Sequence, residues 1–334
     1  MARAWYFTSN PTGLPTLDNV ALREMPVVAL GPNQIRVRNE YLSVDPYMRG
    51  RMTTAKSYVA GFEVDQPMSG GAVGEVIEST AAGYAVGDKV MHMMGWRDES
   101  IVDITGSGPT DPQKLPPIGV PIQTFLHNLG LTGATAYFGL LKTAEAKAGD
   151  IVFVSAAAGA VGSALVQIAK KKGMTVIGSA GGAAKCAWVK ELGADACIDY
   201  KAGPVLPQLM AAAPKGIDVY FDNVGGEHLD AAFAVARDWA RFAICGMIDK
   251  YNDTDPGHEF KYLIRTIPAR IRMQGFIFTD YAQHMGEFLG DVGPLVASGE
   301  MTMKETVNQG IESTFDAFLG LFSGANTGKM LVKI

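Results

Sequence analysis

From about residue 150 onward, short apolar runs alternate with longer amphipathic stretches. "IVFVS" is one such run, and apolar residues then recur at Val161, Leu165 and Ile168, the spacing of one helical face. "TVIG", "ACIDY", "IDVYFDNV", "RFAICG" and "RMQGFIF" follow as further strand-like runs, with helical segments between them, one ending at "KELGAD". Apolar strands separated by helices predict a doubly wound parallel sheet covered on both faces.

The first 120 residues have a different rhythm. "QIRVRNEYLSV", "GGAVGEVIES" and "GDKVMHM" are short runs broken by Gly, Pro, Asp and Asn. That spacing predicts a mostly β, barrel-like domain with irregular loops. "KMLVKI" at the end of the chain returns to the same style. The expected organisation is therefore discontinuous. Residues 1–125, completed by 300–334, form the mostly β domain, and residues 126–299 form the α/β domain.

Composition narrows the function classes. The chain has 334 residues, 48% of them hydrophobic and 19% charged, enough to bury real cores. A net charge of -5 without a basic stripe argues against a nucleic-acid footprint; the lysine run at Lys170 to Lys172 only ends an amphipathic helix. No apolar run approaches a membrane span, and the start lacks a charged leader followed by an apolar stretch. Cys186, Cys197 and Cys245 are odd in number and far apart in sequence, and His92, His127, His228, His258 and His284 are scattered. They form no disulfide framework and no ligand pair of metal-binding spacing. No metal and a reducing, cytoplasmic location are expected.

"SAAAGAVGSALVQIAKKKG" (155–173) carries the chemistry. It sits between a predicted strand and a predicted helix, the context that the dinucleotide fingerprint G-x-G-x-x-G needs. Gly159 and Gly162 fill the second and third places, and Ala157 holds the first. Gly159 would let backbone approach a pyrophosphate, Gly162 would permit close helix–strand packing, and the helix N-terminus would face the phosphates. The second strand then selects the nucleotide. NAD sites usually place an acid there for the ribose 2′-hydroxyl. From Val176 to Cys186 there is no carboxylate, but there is Lys185. NADPH is the expected cofactor.

Six further stretches occur together: "LSVDPYMRGRM" (42–52), "LGLTGATAYFGLL" (129–141), "AAAGAVG" (156–162), "FDNVGG" (221–226), "ICGMIDKYN" (244–252) and "GANTGKMLVKI" (324–334). Along essentially its whole length the chain resembles the zinc-independent medium-chain reductases. Within them it is most similar to the NADPH-dependent alkenal/one double-bond reductases, which include prostaglandin, 2-alkenal and curcumin reductases. The resemblance implies a Rossmann domain plus a GroES-like domain, and a homodimer. It implies NADPH-dependent reduction of the C=C bond of α,β-unsaturated aldehydes and ketones. Carried over residue by residue, Gly159, Ala160, Val161 and Gly162 would hold the pyrophosphate. Lys185 and Tyr200 would meet the adenosine end, and Asn223 would border the cofactor. Cys245, Gly246 and Tyr251 would pass the nicotinamide ribose. Phe276, Ile277 and Phe278 would lie along the nicotinamide, with Asn326 approaching from the tail. Tyr251 and Tyr47 would border the substrate. Two departures, Leu131-Thr132 and the segment "DTDPGHEF" (253–260), bear on substrate size rather than on chemistry.

Reducing a simple ketone leaves a localised alkoxide, whereas hydride addition to the β-carbon of an enone leaves a delocalised enolate that a hydrogen bond can support. A chain without metal ligands but with pocket tyrosines, whose ordinary pKa is about 10, suits the enone better. Tyr251 is the principal catalytic candidate. Tyr47 is the second, although Asp45, Arg49 and Arg51 could make that loop purely structural. Tyr137 and Phe138 read as core, and Met91, Met93 and Met94 as fillers of irregular apolar space. An NADPH-dependent quinone or carbonyl reductase of the same superfamily, and an NADPH-binding protein without turnover, are the alternatives.

Overall fold

The computed structural model describes residues 2–26, 28–106, 111–255 and 258–334. The chain divides into two units: Met1–Leu126 with Glu305–Asn326 and Met330–Ile334, and His127–Lys304 with Thr327–Lys329.

The first unit is mostly β. Its strands are β1 (Arg3–Phe7), β2 (Val20–Glu24), β3 (Gln34–Ser43), β4 (Ala72–Ser79), β5 (Lys89–His92), β6 (Glu99–Asp103) and β7 (Gln113–Lys114), with a single helical turn, α1 (Tyr47–Gly50). β3 organises this unit because its ten residues serve three partners. On one edge it pairs with β4; on the other, Gln34–Arg38 pair with β6. The side chains alternate accordingly over the first half, where Ile35, Val37 and Asn39 are buried in period-2 register; a register shift against β4 between Asn39 and Tyr41 then turns Leu42 into the core.

The second unit begins with α2 (Leu131–Phe138). It continues as β8 (Ile151–Val154), α3 (Ala160–Lys171), β9 (Thr175–Ala180), α4 (Ala183–Glu191), β10 (Ala196–Asp199), α5 (Val205–Ala212), β11 (Ile217–Asp222), α6 (Gly226–Val235), β12 (Ala236–Ile244), β13 (Arg272–Gly275) and α7 (Met285–Ala297). Among the described residues the sheet order is β10-β9-β8-β11-β12-β13, and every pairing is parallel. This is the Rossmann order, with the order of strands reversing between β8 and β11. Val152, Phe153, Val154, Val219, Tyr220 and Phe221 are all fully buried, because helices cover both faces. Tyr137 and Phe138 belong to the core as expected, at 1% and 0% exposure, and the Tyr137 hydroxyl donates to Asp291 Oδ2 at 2.8 Å. The lysines closing α3 are solvated and paired: Lys170 with Asp195, Lys171 with Glu300 and Lys172 with Asp291.

The chain then supplies β14 (Glu305–Gln309), α8 (Thr314–Ser323) and β15 (Lys329–Lys333). Leu331–Lys333 pair antiparallel with Tyr41–Ser43 of β3, so the tail joins the first unit's sheet. The described residues thus form a doubly wound parallel sheet and a separate mostly β unit, the Rossmann plus GroES-like arrangement.

Three sequence expectations change. "RMQGFIF" is a strand only to Gly275; Phe276 and Ile277 leave the ladder and Phe278 opens a 3₁₀ turn. Met93 and Met94 do not fill apolar space, being 40% and 36% exposed, while Met91 does pack against buried residues. Cys186 and Cys197 are near each other in the fold, both sulfurs approaching the carbonyl oxygen of Ile198, at 3.4 and 3.8 Å, yet all three cysteines are free thiols.

Candidate active site

The turn after β8 is shaped by small residues. Gly159 is the N-cap of α3, in an extended conformation (φ -86, ψ 176) with no side-chain cap. The first N–H groups of α3 are therefore open to an anion, as helix N-termini are. The left-handed position of the turn is Ala156, at φ 50, a strain on the order of 1 kcal/mol for a residue with a β-carbon. Ala157, in the fingerprint's first place, is fully buried and donates its N–H to Ser179 O at 2.8 Å. Gly162 has no room for a side chain: a β-carbon there would overlap Ala156 O and lie 2.7 Å from Ala157 Cα. Gly328 donates its N–H to Ala158 O at 2.7 Å and bridges Gly159, so the returning segment backs this turn.

At the end of β9 come Gly181 and Gly182 instead of an acid. Lys185 stands half-buried in the first turn of α4, and its ammonium is held below its ordinary range by burial and then by the charge of Lys201. Tyr200, just beyond β10, is 39% exposed and meets His228 edge-on at 5.5 Å. His228 is buried, paired through Nε2 with Ser179 Oγ at 2.8 Å, and pushed down to about 4 by desolvation; it is a neutral support. Lys201 follows Tyr200, and a β-carbon on Gly181 would lie 3.0 Å from its Cε.

The reversal between β8 and β11 is tied by a buried carboxyl group. Asp222 is fully buried. Its Oδ1 accepts from Tyr220 Oη (2.7 Å), Ser155 Oγ (3.1 Å), Val224 N (2.9 Å) and Gly225 N (2.8 Å). Asn223 crosses to β8, its N–H on Ser155 Oγ and its Nδ2 on Ser155 O, both at 2.8 Å. The loop after β12 is zipped to the same place: Cys245 N and Gly246 N donate to Asp222 O, Ile248 N to Asn223 O and Asp249 N to Val224 O. Cys245 has its thiol pushed up to about 12 by burial and then by Asp222, so it is a protonated wall rather than a nucleophile.

Tyr251 closes the short 3₁₀ turn Ile248–Lys250. Its hydroxyl folds back over Gly246, where a β-carbon would lie 2.9 Å from Tyr251 Oη. Phe276 packs edge-on against Phe221 at 5.9 Å, made possible by Gly139, where a β-carbon would overlap both rings. Ile277 N donates to Asp280 Oδ2 at 3.2 Å, fixing the turn that Phe278 enters. The second unit therefore brings Gly159, Ala160, Val161, Gly162, Asn223, Cys245, Gly246 and Tyr251 to the carboxyl ends of β8, β11 and β12. Lys185 and Tyr200 stand at the ends of β9 and β10, and Phe276–Phe278 beyond β13.

Tyr47 and Asn326 lie in the first unit. Tyr47 begins α1, and its phenol is raised above its ordinary range by burial and by Asp45, against an opposing pull from Arg51. It is a hydrogen-bond donor at neutral pH. The arginines around it brace carbonyls: Arg49 donates to Gly13 O at 2.8 Å, and Arg51 to Ala60 O and Ser69 O at 2.9 and 3.0 Å. Arg51 also lies over the Phe62 ring at 4.0 Å. Asn326 is half-buried between α8 and β15. Of segment 253–260, residues 256 and 257 lie outside the described residues.

Among the described residues no group of three or more His, Cys, Asp or Glu is arranged to hold a metal ion, and no helix is long and apolar enough to cross a membrane. His92 is a core histidine, pushed down to about 3 by burial, with Nε2 on Asn39 Oδ1 at 3.0 Å.

Comparison with known proteins gives the class. Residues 3–109 match the family model described as the N-terminal domain of oxidoreductase, and residues 160–290 the one described as zinc-binding dehydrogenase. The NADPH-dependent curcumin reductase of Escherichia coli is 39% identical over 99% of this chain and 96% of its own. The 2-alkenal reductase (NADP(+)-dependent) of Nicotiana tabacum is 39% identical over 97% and 94%. The crystal structure of CurA from Vibrio vulnificus in complex with NADPH superposes with a TM-score of 0.92 at 40% identity, covering 99% of this chain and 98% of that one. The chain belongs to the zinc-independent medium-chain reductases, in the NADPH-dependent alkenal reductase group.

Gly162→Ala tests the phosphate turn. The displaced turn is expected to weaken dinucleotide binding at least ten-fold, the equivalent of about 1.4 kcal/mol, as read by calorimetric titration. Unchanged affinity would show that the turn accommodates the methyl group without moving.

Proposed function

We propose that this chain uses NADPH to reduce the C=C bond of α,β-unsaturated aldehydes and ketones. The observation that carries this reading is the tyrosine hydroxyl folded over Gly246 at the carboxyl end of β12, in a site whose described residues offer no metal cluster. The names of the curcumin and 2-alkenal reductases that resemble it along nearly their whole lengths support it.

The residues present fit a dinucleotide. The uncapped N-terminus of α3, over Gly159, Ala160, Val161 and Gly162, offers N–H groups to a pyrophosphate. Lys185 and Tyr200 would meet the 2′-phosphate end. Asn223, Cys245 and Gly246 would line the nicotinamide ribose, and Phe276, Ile277, Phe278 and Asn326 the nicotinamide itself. When bound, the reduced nicotinamide supplies hydride. Tyr251 then donates a hydrogen bond where negative charge develops on the carbonyl oxygen. An enolate shares that charge between the oxygen and the α-carbon, so one neutral donor suffices where a localised alkoxide would need more. Tyr47, also a protonated phenol, is proposed to border the substrate. We assign the substrate side to residues 1–125 with 300–334, and the cofactor side to residues 126–299.

The test compares an enone with its saturated ketone. NADPH oxidation is expected with the enone alone; equal rates would favour carbonyl reduction. Tyr251→Phe should slow the hydride step in stopped flow by roughly ten- to a thousand-fold, the range up to loss of one oxyanion donor. A wild-type rate would remove Tyr251 from catalysis.

A homodimer is proposed as well. β13 is the last strand of its sheet, and all four of its residues are exposed. Met273 on it is 49% exposed, and Trp239, Ile264 and Ile267 in the adjoining segments are 67%, 68% and 72% exposed. An open edge beside apolar side chains invites pairing, and pairing across a two-fold axis would close it. Native mass measurement at micromolar concentration should give twice the chain mass; a monomer would contradict the proposal.

A further inference from the structure

We propose that Tyr281 is a positioning residue for the nicotinamide, acting through a hydrogen bond to Thr143 that fixes the far end of the segment Phe276–Phe278. The inference rests on the cofactor reading above, in which that segment lies along the nicotinamide, and is independent of which bond is reduced.

The sheet stops at Gly275, the last residue of β13. Beyond it Phe276 and Ile277 lead into the 3₁₀ turn Phe278–His284. Inside this stretch, Asp280 N donates to Ile277 O at 3.0 Å and Ile277 N to Asp280 Oδ2 at 3.2 Å. Those bonds shape the turn but tie it to nothing outside itself.

What holds the stretch against the body of its unit is one short segment, where α2 runs into a π-helical turn, Gly139–Thr143. Such turns are rare and occur mostly as single turns at functional sites. This one grips the chain before, at the start of and after the stretch. Before it, Arg272 donates to Thr143 O at 3.0 Å and to Glu145 Oε1 at 2.7 Å. At its start, Phe276 fills the space over Gly139, where a β-carbon would lie 2.3 Å from the ring. At its end, the Tyr281 ring stacks on Phe138, with centroids 5.4 Å apart and 21° between the planes. The Tyr281 hydroxyl shares a hydrogen bond of 2.9 Å with Thr143 Oγ1.

Phe138 and Thr143 are both buried, so the half-buried Tyr281 is fastened to fixed points. Two stacked rings can slide over each other in plane, and a hydrogen bond at the tip of one removes that freedom. The hydroxyl therefore sets where Ile277 and Phe278 lie. A segment ordered before the cofactor arrives does not have to be ordered by it, and binding gains what that ordering would cost. The gain falls on the nicotinamide end, because the adenosine end is assigned to Lys185 and Tyr200 at other strand ends.

The test is calorimetric binding to the substrate-free protein, with NADPH and its nicotinamide-free half 2′,5′-ADP as probes, together with amide hydrogen exchange. Tyr281→Phe keeps the stacked ring and removes the hydroxyl. It should weaken NADPH roughly three- to ten-fold, as expected for the loss of one hydrogen bond, and 2′,5′-ADP less than about two-fold. Amides from 276 to 281 should exchange faster in the cofactor-free variant, and those of β8 and β11 at the wild-type rate. Thr143→Val should have the same effects, and Thr143→Ser, which keeps a hydroxyl, should retain NADPH affinity. Combining Tyr281→Phe with Thr143→Val should cost no more than either alone, since both remove one shared bond. Equal losses for both probes, additive losses in the double variant, or undiminished NADPH affinity in Tyr281→Phe would overturn the inference. A wild-type protein that binds NADPH no more tightly than 2′,5′-ADP, or binds neither, would overturn the cofactor reading and the inference with it.

Discussion

A single buried oxygen atom holds the crevice of this protein together. Asp222 Oδ1 collects four donors, from β8, from its own strand and from the loop beyond it. They are gathered where the strand order turns around, between β8 and β11. Burial pushes the Asp222 carboxyl up, and the hydrogen bonds from Gly225, Tyr220, Val224 and Ser155 pull it back. Removing that acceptor would leave buried N–H and O–H groups unsatisfied, at about 1–3 kcal/mol each. It would also release Asn223 and the loop from Cys245 to Tyr251, which are fastened to the same residues. The site proposed above is positioned by this knot.

Around the knot, functional geometry comes largely from missing side chains. Gly162 lets α3 press on the phosphate turn, Gly181 yields its space to Tyr200 and Lys201, and Gly246 lies beneath the Tyr251 hydroxyl. Each brings backbone or a polar group to a place where a β-carbon would intrude. Such a site suits a flat, extended cofactor and a reaction whose developing charge is already delocalised. It provides hydrogen-bond donors of fixed position rather than a concentrated charge.

Much of this architecture was legible in the sequence. Uniformly apolar runs such as "IVFVS" and "IDVYFDNV" announce parallel strands covered on both faces, and broken runs such as "QIRVRNEYLSV" announce a mostly β domain with irregular loops. The fingerprint glycines mark the tight turn between β8 and α3 because their role is steric and local. Other features depend on which distant segments meet, and a linear pattern does not carry that information. The left-handed residue proved to be Ala156, one place before the fingerprint's first position. "FIF" follows the strand instead of extending it, since Phe276 is drawn toward Phe221. Cys186 and Cys197 converge on one carbonyl through the packing of α4 on β10. The Asp222 knot could not be valued until the ends of neighbouring strands were side by side.

The central claim is that this site directs hydride to carbon conjugated with a carbonyl group and supports the enolate that results. The most direct test uses NADPH carrying deuterium at the transferred position and an enone, with the product analysed by NMR. The account predicts deuterium on the β-carbon of a saturated aldehyde or ketone whose carbonyl group is intact. Deuterium on a carbinol carbon, with the double bond preserved, would contradict it.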